Sequence, residues 1–372
     1  MGETWREYSQ FYAMNSYSFE INVGHKCNMR CKFCFEQGTG YTNVATSASD
    51  FAYFADYMEY VKKKTGGLIT ATVYGGEPFL HLDTLVPFVL RIADMVTGVS
   101  LVTNGIEVRR YEKEIDQMRD ALKGQLGLRM SVSYNFSLQD ETRQEGTYER
   151  VRDSIRFLCA KGFDVTSPVV FTPDNIHRIG EVFDDFVALR EDTGGMNRVR
   201  FNYFVPNGVP FSVVKEDVLR SECARIRDIM ESPDSNVSYK DFLYNMIGRR
   251  RGERQRDCIF SFVRAALGPD GCIYPGYDVV HASEATKRLL TLGHIGDPFE
   301  SIEKRRRDLL KLLPVDAPIQ CKTCPSQCRV IPWRTMEQDD VSQFNQMPNP
   351  DRCKVVQIIG EYLPISGVIH GQ

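Results

Sequence analysis

Three cysteines lie close together near the start of the sequence, in the run Cys27-Asn28-Met29-Arg30-Cys31-Lys32-Phe33-Cys34. Their C-x3-C-x2-C spacing allows three thiolates on one tight loop to hold three corners of a cubane iron-sulfur cluster. No fourth cysteine lies nearby in the sequence, so one iron is left open to bind a small molecule. The same thiols also suit part of a structural zinc site, which is the alternative on the residues alone.

A second group of six cysteines occupies the last third of the sequence: Cys258, Cys272, Cys321, Cys324, Cys328 and Cys353. The last four supply enough thiolates to fill a cubane cluster completely. Cys258 and Cys272 would then be half of a second site, completed by another ligand or left open to a substrate. A zinc ribbon built from the same thiols is the alternative, because iron and zinc sites share thiolate ligands.

Composition limits the classes of function that the chain can have. The net charge of −3 over 372 residues gives no indication of a nucleic-acid partner. No apolar run approaches the roughly 20 residues that cross a bilayer, and residues 1–12 do not resemble a signal peptide. Eleven cysteines in such a chain favour metal ligation in a reducing cytoplasm over disulfides. We therefore expect a cytoplasmic protein without a membrane or nucleic-acid partner.

Strands and amphipathic helices alternate from Tyr17 to about residue 230. Tyr17–Val23 alternates apolar and polar residues and leads into the cysteine run, and Ser47 with Asp50 can cap the helix that follows. Five more strand and helix pairs follow, with the second helix expected over Leu85–Val96. Cys159 and Cys223 fall on apolar stripes of two of these helices, which predicts core positions for both. The alternation predicts parallel βαβ units, in either a doubly wound sheet or an incomplete barrel.

The regular alternation ends near residue 235. Beyond it, Gly268-Pro269-Asp270-Gly271 has the composition of a turn, and it predicts a hairpin with strands at Ala265–Leu267 and Cys272–Tyr274. We therefore expect three parts: an N-terminal extension (1–16), an α/β domain (17–234) and a smaller cysteine-rich domain (235–372).

Several polar or glycine-rich motifs follow the predicted strands directly. Tyr74-Gly75-Gly76-Glu77-Pro78 ends the second strand, Thr103-Asn104-Gly105 ends the third, and Ser133 and Asn135 end the fourth. Arg143 follows a few residues later. In barrels the chemistry lies at the carboxyl ends of the strands, so these motifs are candidates for it.

Two of these motifs together resemble the signature of the radical S-adenosylmethionine (SAM) superfamily. They are the cysteine run, in which the aromatic Phe33 precedes the last thiol, and Gly75-Gly76-Glu77, which follows one βα unit later. The resemblance implies a partial (β/α)6 TIM-like barrel in which Cys27, Cys31 and Cys34 bind a 4Fe-4S cluster. In that family the amino and carboxylate groups of SAM bind the fourth iron. One electron then splits SAM into methionine and a 5'-deoxyadenosyl radical, so an electron donor of low potential such as a flavodoxin or ferredoxin is also implied.

The same resemblance implies roles for the residues at the strand ends. Gly75, Gly76 and Glu77 would surround the ammonium group of SAM, Asn104 would line the cofactor cavity, and Ser133 would contact the ribose. Phe33 would pack near the adenine, and Arg143 would pair with the cofactor carboxylate. The sequence lacks the aspartate-glycine pair that usually follows the serine, so an ordinary surface arginine is the alternative for Arg143, as a simple turn is for Asn104.

The C-terminal cysteines are similar to the SPASM and twitch extensions of this family, which carry one or two auxiliary clusters. The match is incomplete, because a full SPASM pattern has seven cysteines and Gly276 stands where one is expected. The resemblance implies a peptide or protein substrate whose side chains are cross-linked or oxidised. Only 26 residues precede Cys27, so we expect a separate peptide-recognition protein or the C-terminal domain to hold the peptide.

Two other functions are kept as alternatives. One is a radical SAM dehydrogenase of a small molecule such as a sugar or amino alcohol, and the other is a non-catalytic iron-sulfur or zinc protein. No general acid or base stands out in the sequence. Cys272 is a candidate if it is not a metal ligand, since a partly exposed thiol near a cluster can titrate usefully.

Overall fold

The computed structural model describes residues 16–34, 43–124, 126–203, 211–243, 264–280, 282, 284–312 and 350–363. Nine strands lie within these ranges: β1 (Ser16–Asn22), β2 (Leu68–Tyr74), β3 (Gly98–Thr103), β4 (Gly127–Val132), β5 (Val165–Phe171), β6 (Asn197–Tyr203), β7 (Arg264–Leu267), β8 (Cys272–Tyr274) and β9 (Gly293–His294).

Twelve α-helical segments accompany the strands in the described part of the chain. They are α1 (Ala48–Thr65), α2 (Leu82–Ile92), α3 (Glu112–Ala121), α4 (Gln139–Thr142), α5 (Tyr148–Ala160), α6 (Ile179–Asp192), α7 (Glu216–Met230), α8 (Tyr239–Phe242), α9 (Tyr277–Val280), α10 (Glu284–Leu290), α11 (Phe299–Leu312) and α12 (Pro350–Tyr362).

The strands form one sheet in the order β6-β5-β4-β3-β2-β1-β7-β8-β9. Strands β1 to β6 are parallel to their neighbours, and each is followed by a helix, which confirms the predicted α/β class and the partial (β/α)6 arrangement. The sheet continues beyond these six strands, because β7 pairs in parallel with β1 and the hairpin partners β8 and β9 are antiparallel. The carboxyl end of β7 therefore lies beside that of β1.

Apolar side chains from the strands and the facing helix stripes form the core. Helix α1 shows how the sequence produces such an element. Ser47 and Asp50 form the predicted capping box at its start, and Phe54 and Met58 belong to its buried apolar stripe. Cys159 and Cys223 are buried as predicted.

One helix boundary differs from the prediction by about a turn. Helix α2 runs from Leu82 to Ile92, not from Leu85 to Val96. The prediction placed Pro87 in the first turn, where its missing N–H costs nothing. The 3-10 turn Pro78–Leu80 leads directly into α2, however, so the helix begins earlier and Pro87 lies inside it.

Some predictions fall outside the described residues. These are the side chains of Cys258, Cys321, Cys324, Cys328 and Cys353, and most of the N-terminal extension. Within the described ranges, no helix is both long enough and apolar enough to cross a membrane.

Candidate functional site

The cysteine loop, defined here as residues 23–34, leaves the carboxyl end of β1 and is held there by buried polar groups. Asn22 is fully buried, and its Oδ1 accepts a hydrogen bond of 2.8 Å from the backbone N–H of Gly24. The Thr46 hydroxyl donates to the Asn22 carbonyl at 2.6 Å. The start of the loop is thus fixed by the strand end and by the segment that enters α1.

Cys27 and Cys31 of this loop have nitrogen donors close to their sulfur atoms. Cys27 Sγ accepts from the Met29 N–H at 3.4 Å and lies 3.9 Å from Asn104 Nδ2, and a guanidinium nitrogen of Arg143 lies 3.6 Å from Cys31 Sγ. The Cys34 N–H donates to the Cys31 carbonyl at 3.1 Å, which closes the loop into a tight turn. Such N–H contacts to sulfur are a means by which proteins tune iron-sulfur clusters.

A cubane cluster fits this donor set. Among the described residues, no three His, Cys, Asp or Glu side chains lie close enough together to bind one metal ion in common. A cubane does not need that grouping, because each thiolate binds a different iron atom. Burial raises the pKa of the Cys27 thiol to about 11, and Glu77, Cys31 and Cys34 act in the same direction. Iron would supply the positive charge that thiolate formation needs there.

Gly75 and Gly76 pack directly against the cysteine loop. The Gly76 N–H donates to the Gly24 carbonyl at 2.7 Å, and the Glu77 N–H donates to the Lys26 carbonyl at 2.9 Å. A Cβ at Gly76 would overlap the Lys26 carbonyl, and Gly75 adopts a φ of +146° that favours glycine. The structure therefore gives this motif a role in positioning the loop, and its predicted contact with the ammonium group of SAM stays a prediction.

The Glu77 side chain is fully buried, so its carboxylate does not point into an open cavity. Its two oxygens accept hydrogen bonds from the Phe79 N–H (3.1 Å), the Thr103 hydroxyl (2.7 Å) and the Asn104 N–H (2.7 Å). Burial raises the pKa of Glu77 to about 7, although these three donors act against the shift. The carboxylate thus joins the ends of β2 and β3, and the predicted contact of Glu77 with the cofactor stays a prediction.

Asn104 reaches the cysteine loop from the end of β3, and its predicted place in the cofactor cavity stays a prediction. Its Nδ2 donates to Asn28 Oδ1 at 2.7 Å, and its Oδ1 accepts from the Ile106 N–H at 3.0 Å. Asn104 therefore bridges the third strand end and the residue directly after Cys27.

Arg143 is buried against the cysteine loop and is not an ordinary surface arginine. Besides the contact with Cys31, its guanidinium lies over the Phe33 ring with 4.9 Å to the ring centroid, and its Nε donates to Asn135 Oδ1 at 3.2 Å. The neighbouring Thr142 carbonyl accepts from the Lys32 N–H at 2.9 Å. Arg143 therefore places a positive charge beside the Cys31 thiol and one face of Phe33.

Asn135 is the buried residue that holds Arg143 in place. Its Oδ1 also accepts from the Val170 N–H at 3.1 Å, and its Nδ2 donates to the Val170 carbonyl at 3.0 Å and to Thr142 Oγ1 at 2.9 Å. These contacts connect the ends of β4 and β5 to helix α4. Ser133 is held beside Asn135 by a backbone hydrogen bond of 2.7 Å to the Thr103 carbonyl, and its ribose contact stays a prediction.

Two residues of this site were not singled out from the sequence. Asn22 fixes the turn after β1 through the Gly24 N–H, and Asn28 accepts from Asn104 at the end of β3. The available signal for Asn22 was positional, because it ends a parallel strand, where a polar side chain is an exception to an apolar pattern.

Cys272 lies near the same edge of the sheet, on β8, which is separated from β1 by β7. It is half-buried at the start of β8, and its Sγ lies 3.4 Å from His294 Nδ1 on β9. Burial raises the pKa of the Cys272 thiol. His294 had not been singled out from the sequence.

Comparison with known proteins agrees with this geometry. Residues 21–186 match the family model described as "Radical SAM superfamily". The chain is 27% identical over 186 residues to a "Probable GTP 3',8-cyclase" from Archaeoglobus fulgidus, which covers 49% of this chain and 56% of that protein. Across the curated relatives of this description the chain spans from 34% to 56% of their length.

The fold is shared with solved structures over most of the chain. The structure described as "Native anSMEcpe with bound AdoMet and Cp18Cys peptide" superposes with a TM-score of 0.62 at 13% identity, covering 93% of this chain and 96% of that chain. Streptococcus suis SuiB bound to precursor peptide SuiA gives a TM-score of 0.51 at 15% identity, covering 76% and 66%. At these identities the likeness is one of fold.

Proposed function

Because residues 21–186 form a radical SAM domain, we propose that this chain cleaves SAM reductively and uses the 5'-deoxyadenosyl radical to cross-link or oxidise side chains of a peptide or protein. The proposed cleavage of SAM is supported mainly by the loop that carries Cys27, Cys31 and Cys34 at the strand ends. Nitrogen donors contact the sulfur atoms of Cys27 and Cys31. A 4Fe-4S cluster bound there would supply the electron that splits SAM.

The residues of this chain orient and shield that site. Glu77 and Asn104 tie the ends of β2 and β3 to the cysteine loop, and Arg143 covers one side of it. The buried Asn135 network fixes Arg143, so the loop is preorganised and one wall of the site is closed to water. Ser133 and Phe33 are proposed to contact the ribose and the adenine of SAM.

The proposal for a peptide substrate is supported by the two structural relatives, which are described with bound peptides. We further propose that Cys321, Cys324, Cys328 and Cys353 bind an auxiliary cluster that accepts an electron after hydrogen abstraction. A flavodoxin or ferredoxin is the proposed electron donor, and a separate recognition protein is the proposed means of delivering the peptide.

A nucleotide is the second candidate substrate, because the curated relatives are described as GTP cyclases. They match only part of this chain and part of their own length.

The radical chemistry is tested by anaerobic incubation of the iron-sulfur-reconstituted protein with SAM and dithionite. We expect 5'-deoxyadenosine from the wild type, none from Cys31→Ala, and wild-type amounts from the control Cys223→Ala, whose thiol is buried in the core. Equal yields from wild type and Cys31→Ala, or no product from either, would refute the proposal.

Substrate class is tested by adding GTP, Cp18Cys peptide or SuiA peptide to the same reaction. Peptide modification predicts a mass change in a peptide and faster formation of 5'-deoxyadenosine, with GTP unchanged. Consumption of GTP, with a new nucleotide product and unmodified peptides, would replace the peptide proposal with the nucleotide one.

A further inference from the structure

Arg200 lies in the middle of β6, on the face of the sheet that the helices leave uncovered. Burial alternates along this strand. Val199 and Phe201 are buried in the core with the helices, whereas Arg198, Arg200 and Asn202 are half-buried. Because successive side chains of a strand point to opposite faces, this second set lies on the inner face of the partial barrel.

The guanidinium of Arg200 lacks the partner that a buried donor normally has. Its Nε is buried and has no hydrogen-bond partner among the described residues. The residue beside Arg200 on β5 is Pro168, whose ring carries no acceptor. Burying a charged donor without an acceptor costs free energy, and most buried polar groups in native proteins are paired. The unpaired donor therefore indicates a group that binds from outside the chain.

The other charges of the inner face indicate what that group is. Inner-face positions of the described strands carry Arg129, Arg198, Arg200 and Arg264. Arg198 pairs with Asp164, Arg264 lies 3.7 Å from Glu20, and Arg129 also has an interaction within the chain. A single guanidinium left over matches a single negative charge such as a carboxylate. A triphosphate carries several charges and would call for more free cations.

The register of the sheet places Arg200 level with Ser133, at the end of β4. Ser131 pairs with Thr166 on β5, so Ser133 lies level with Pro168, which pairs with Arg200. Two strand spacings separate Ser133 from Arg200, a distance of about 10 Å across the sheet. An extended peptide spans that distance in about three residues. A peptide held at Arg200 could therefore present a neighbouring residue to SAM bound at Ser133.

We propose that Arg200 binds a carboxylate of the peptide substrate and thereby determines which peptides the chain accepts. The inference rests on the proposed function, because it places the substrate on the inner face beside SAM. The buried Nε and a terminal guanidinium nitrogen supply two parallel donors for the two carboxylate oxygens. The carboxylate belongs to an aspartate or glutamate side chain or to the C-terminus, and the test separates these sources.

The test measures binding without turnover. The iron-sulfur-reconstituted full chain is immobilised with SAM and without a reductant, and is offered three matched pools of synthetic octapeptides of randomised sequence. The first pool has free C-termini, and the second has amidated C-termini. The third is amidated and has Asn and Gln in place of Asp and Glu. We expect the wild type to retain the third pool about 10- to 100-fold less than the first. A side-chain carboxylate predicts equal retention of the first two pools, and a C-terminal carboxylate predicts retention of the first alone.

Variants assign the preference to one side chain. Arg200→Gln should abolish the preference for carboxylates, and Arg200→Lys should keep part of it, because lysine retains the charge without the second donor. Arg198→Gln is the matched control, since Arg198 lies on the same strand and face but already pairs with Asp164. It should keep the wild-type preference. Equal iron content after reconstitution shows that each variant is folded.

Three results would overturn the proposal. The first is equal retention of all three pools by the wild type, and the second is the same preference in wild type and Arg200→Gln. The third is GTP that binds the wild type but not Arg200→Gln while no peptide is retained, since the bound group would then be a phosphate. Failure of SAM cleavage would leave this binding result unchanged, so the two proposals can fail separately.

Discussion

Arg143 is the residue that most directly sets the charge around the cysteine loop. Its guanidinium lies 3.6 Å from Cys31 Sγ, and both groups are buried. A positive charge at that distance stabilises a full unit of negative charge by about 4–5 kcal/mol at an effective dielectric of about 20, and an electron spread over a whole cluster by about half of that. It would therefore favour the reduced form of a bound cluster.

We predict that Arg143→Gln lowers the midpoint potential of the N-terminal cluster by about 100 mV, since one electron moved through 100 mV corresponds to about 2.3 kcal/mol. Arg143→Lys keeps the charge and should restore most of the potential. The measurement is an EPR-monitored redox titration without SAM, with Cys321 and Cys324 both replaced by alanine so that one cluster contributes. Equal potentials in the glutamine and lysine variants would show that charge is not the cause.

We predict that the raised pKa of the buried Glu77 makes the free energy of unfolding depend on pH. Burial raises its pKa from 4.5 to about 7 in the folded chain, so between these values the folded state holds a proton that the unfolded state has lost. The free energy of unfolding therefore falls as pH rises, by about 2–3 kcal/mol between pH 5 and pH 8 from this group. Glu77→Gln cannot titrate and should lack this part of the decline.

The measurement is urea unfolding of the cluster-free chain at both pH values, under reducing conditions. The difference between wild type and Glu77→Gln isolates the contribution of the carboxyl group from that of other titrating residues. A difference that does not change between pH 5 and pH 8 would contradict a raised pKa at Glu77.

At the scale of elements, the site is built by loops that approach one another without side chains between them. Gly76 shows this most clearly, because its Cα faces the Lys26 carbonyl where no Cβ fits. The two backbone hydrogen bonds from Gly76 and Glu77 then set the height of Cys27 above the sheet.

Gly76→Ala should therefore displace the cysteine loop and reduce stability by about 1–3 kcal/mol, the usual cost of overpacking. We expect the variant to lose about four iron atoms per chain relative to wild type on reconstitution, and to form no 5'-deoxyadenosine. The control is Gly66→Ala at the end of α1, where the added Cβ meets open space. It should cost about 1–2 kcal/mol for its left-handed conformation and leave the iron content unchanged.

Sequence reasoning placed the elements well because their signals are local. The capping box of Ser47 and Asp50, and the apolar alternation of β1 and β2, are visible within a few residues. The exact start of α2 was missed, since it depends on the preceding 3-10 turn. The contacts of Asn135 and Arg143 were not visible either, because the partners lie on different strand ends that only the folded sheet brings together.

At the scale of the whole molecule, the segments on either side of residue 235 share one sheet and one polar anchor. Strand β7 pairs with β1, and the buried Arg306 of α11 donates to the Arg264 carbonyl of β7 and to Tyr57 Oη on α1 at 2.7 Å. Tyr57 in turn donates to Glu303. The tyrosine is fully buried, so it joins the first helix of the barrel to the region that carries Cys272 and His294.

Tyr57→Phe removes only the hydroxyl, so Arg306 and Glu303 each lose one buried hydrogen bond while their own ion pair at 3.2 Å remains. We predict a loss of about 1–3 kcal/mol in the free energy of unfolding, because an unmade buried hydrogen bond costs the full desolvation of its groups. Amide hydrogen exchange in β7 should become faster as well, since Arg306 no longer holds the Arg264 carbonyl as firmly.

Tyr60→Phe is the matched control, because Tyr60 also packs against Phe299 but is only partly buried. It should change stability by less than about 0.5 kcal/mol and leave exchange in β7 unaffected. If both variants behave alike, aromatic packing on Phe299 holds the C-terminal strands to the barrel and the Tyr57 hydroxyl does not. If only Tyr57→Phe loosens β7, the polar anchor couples the barrel to the C-terminal strands of the sheet.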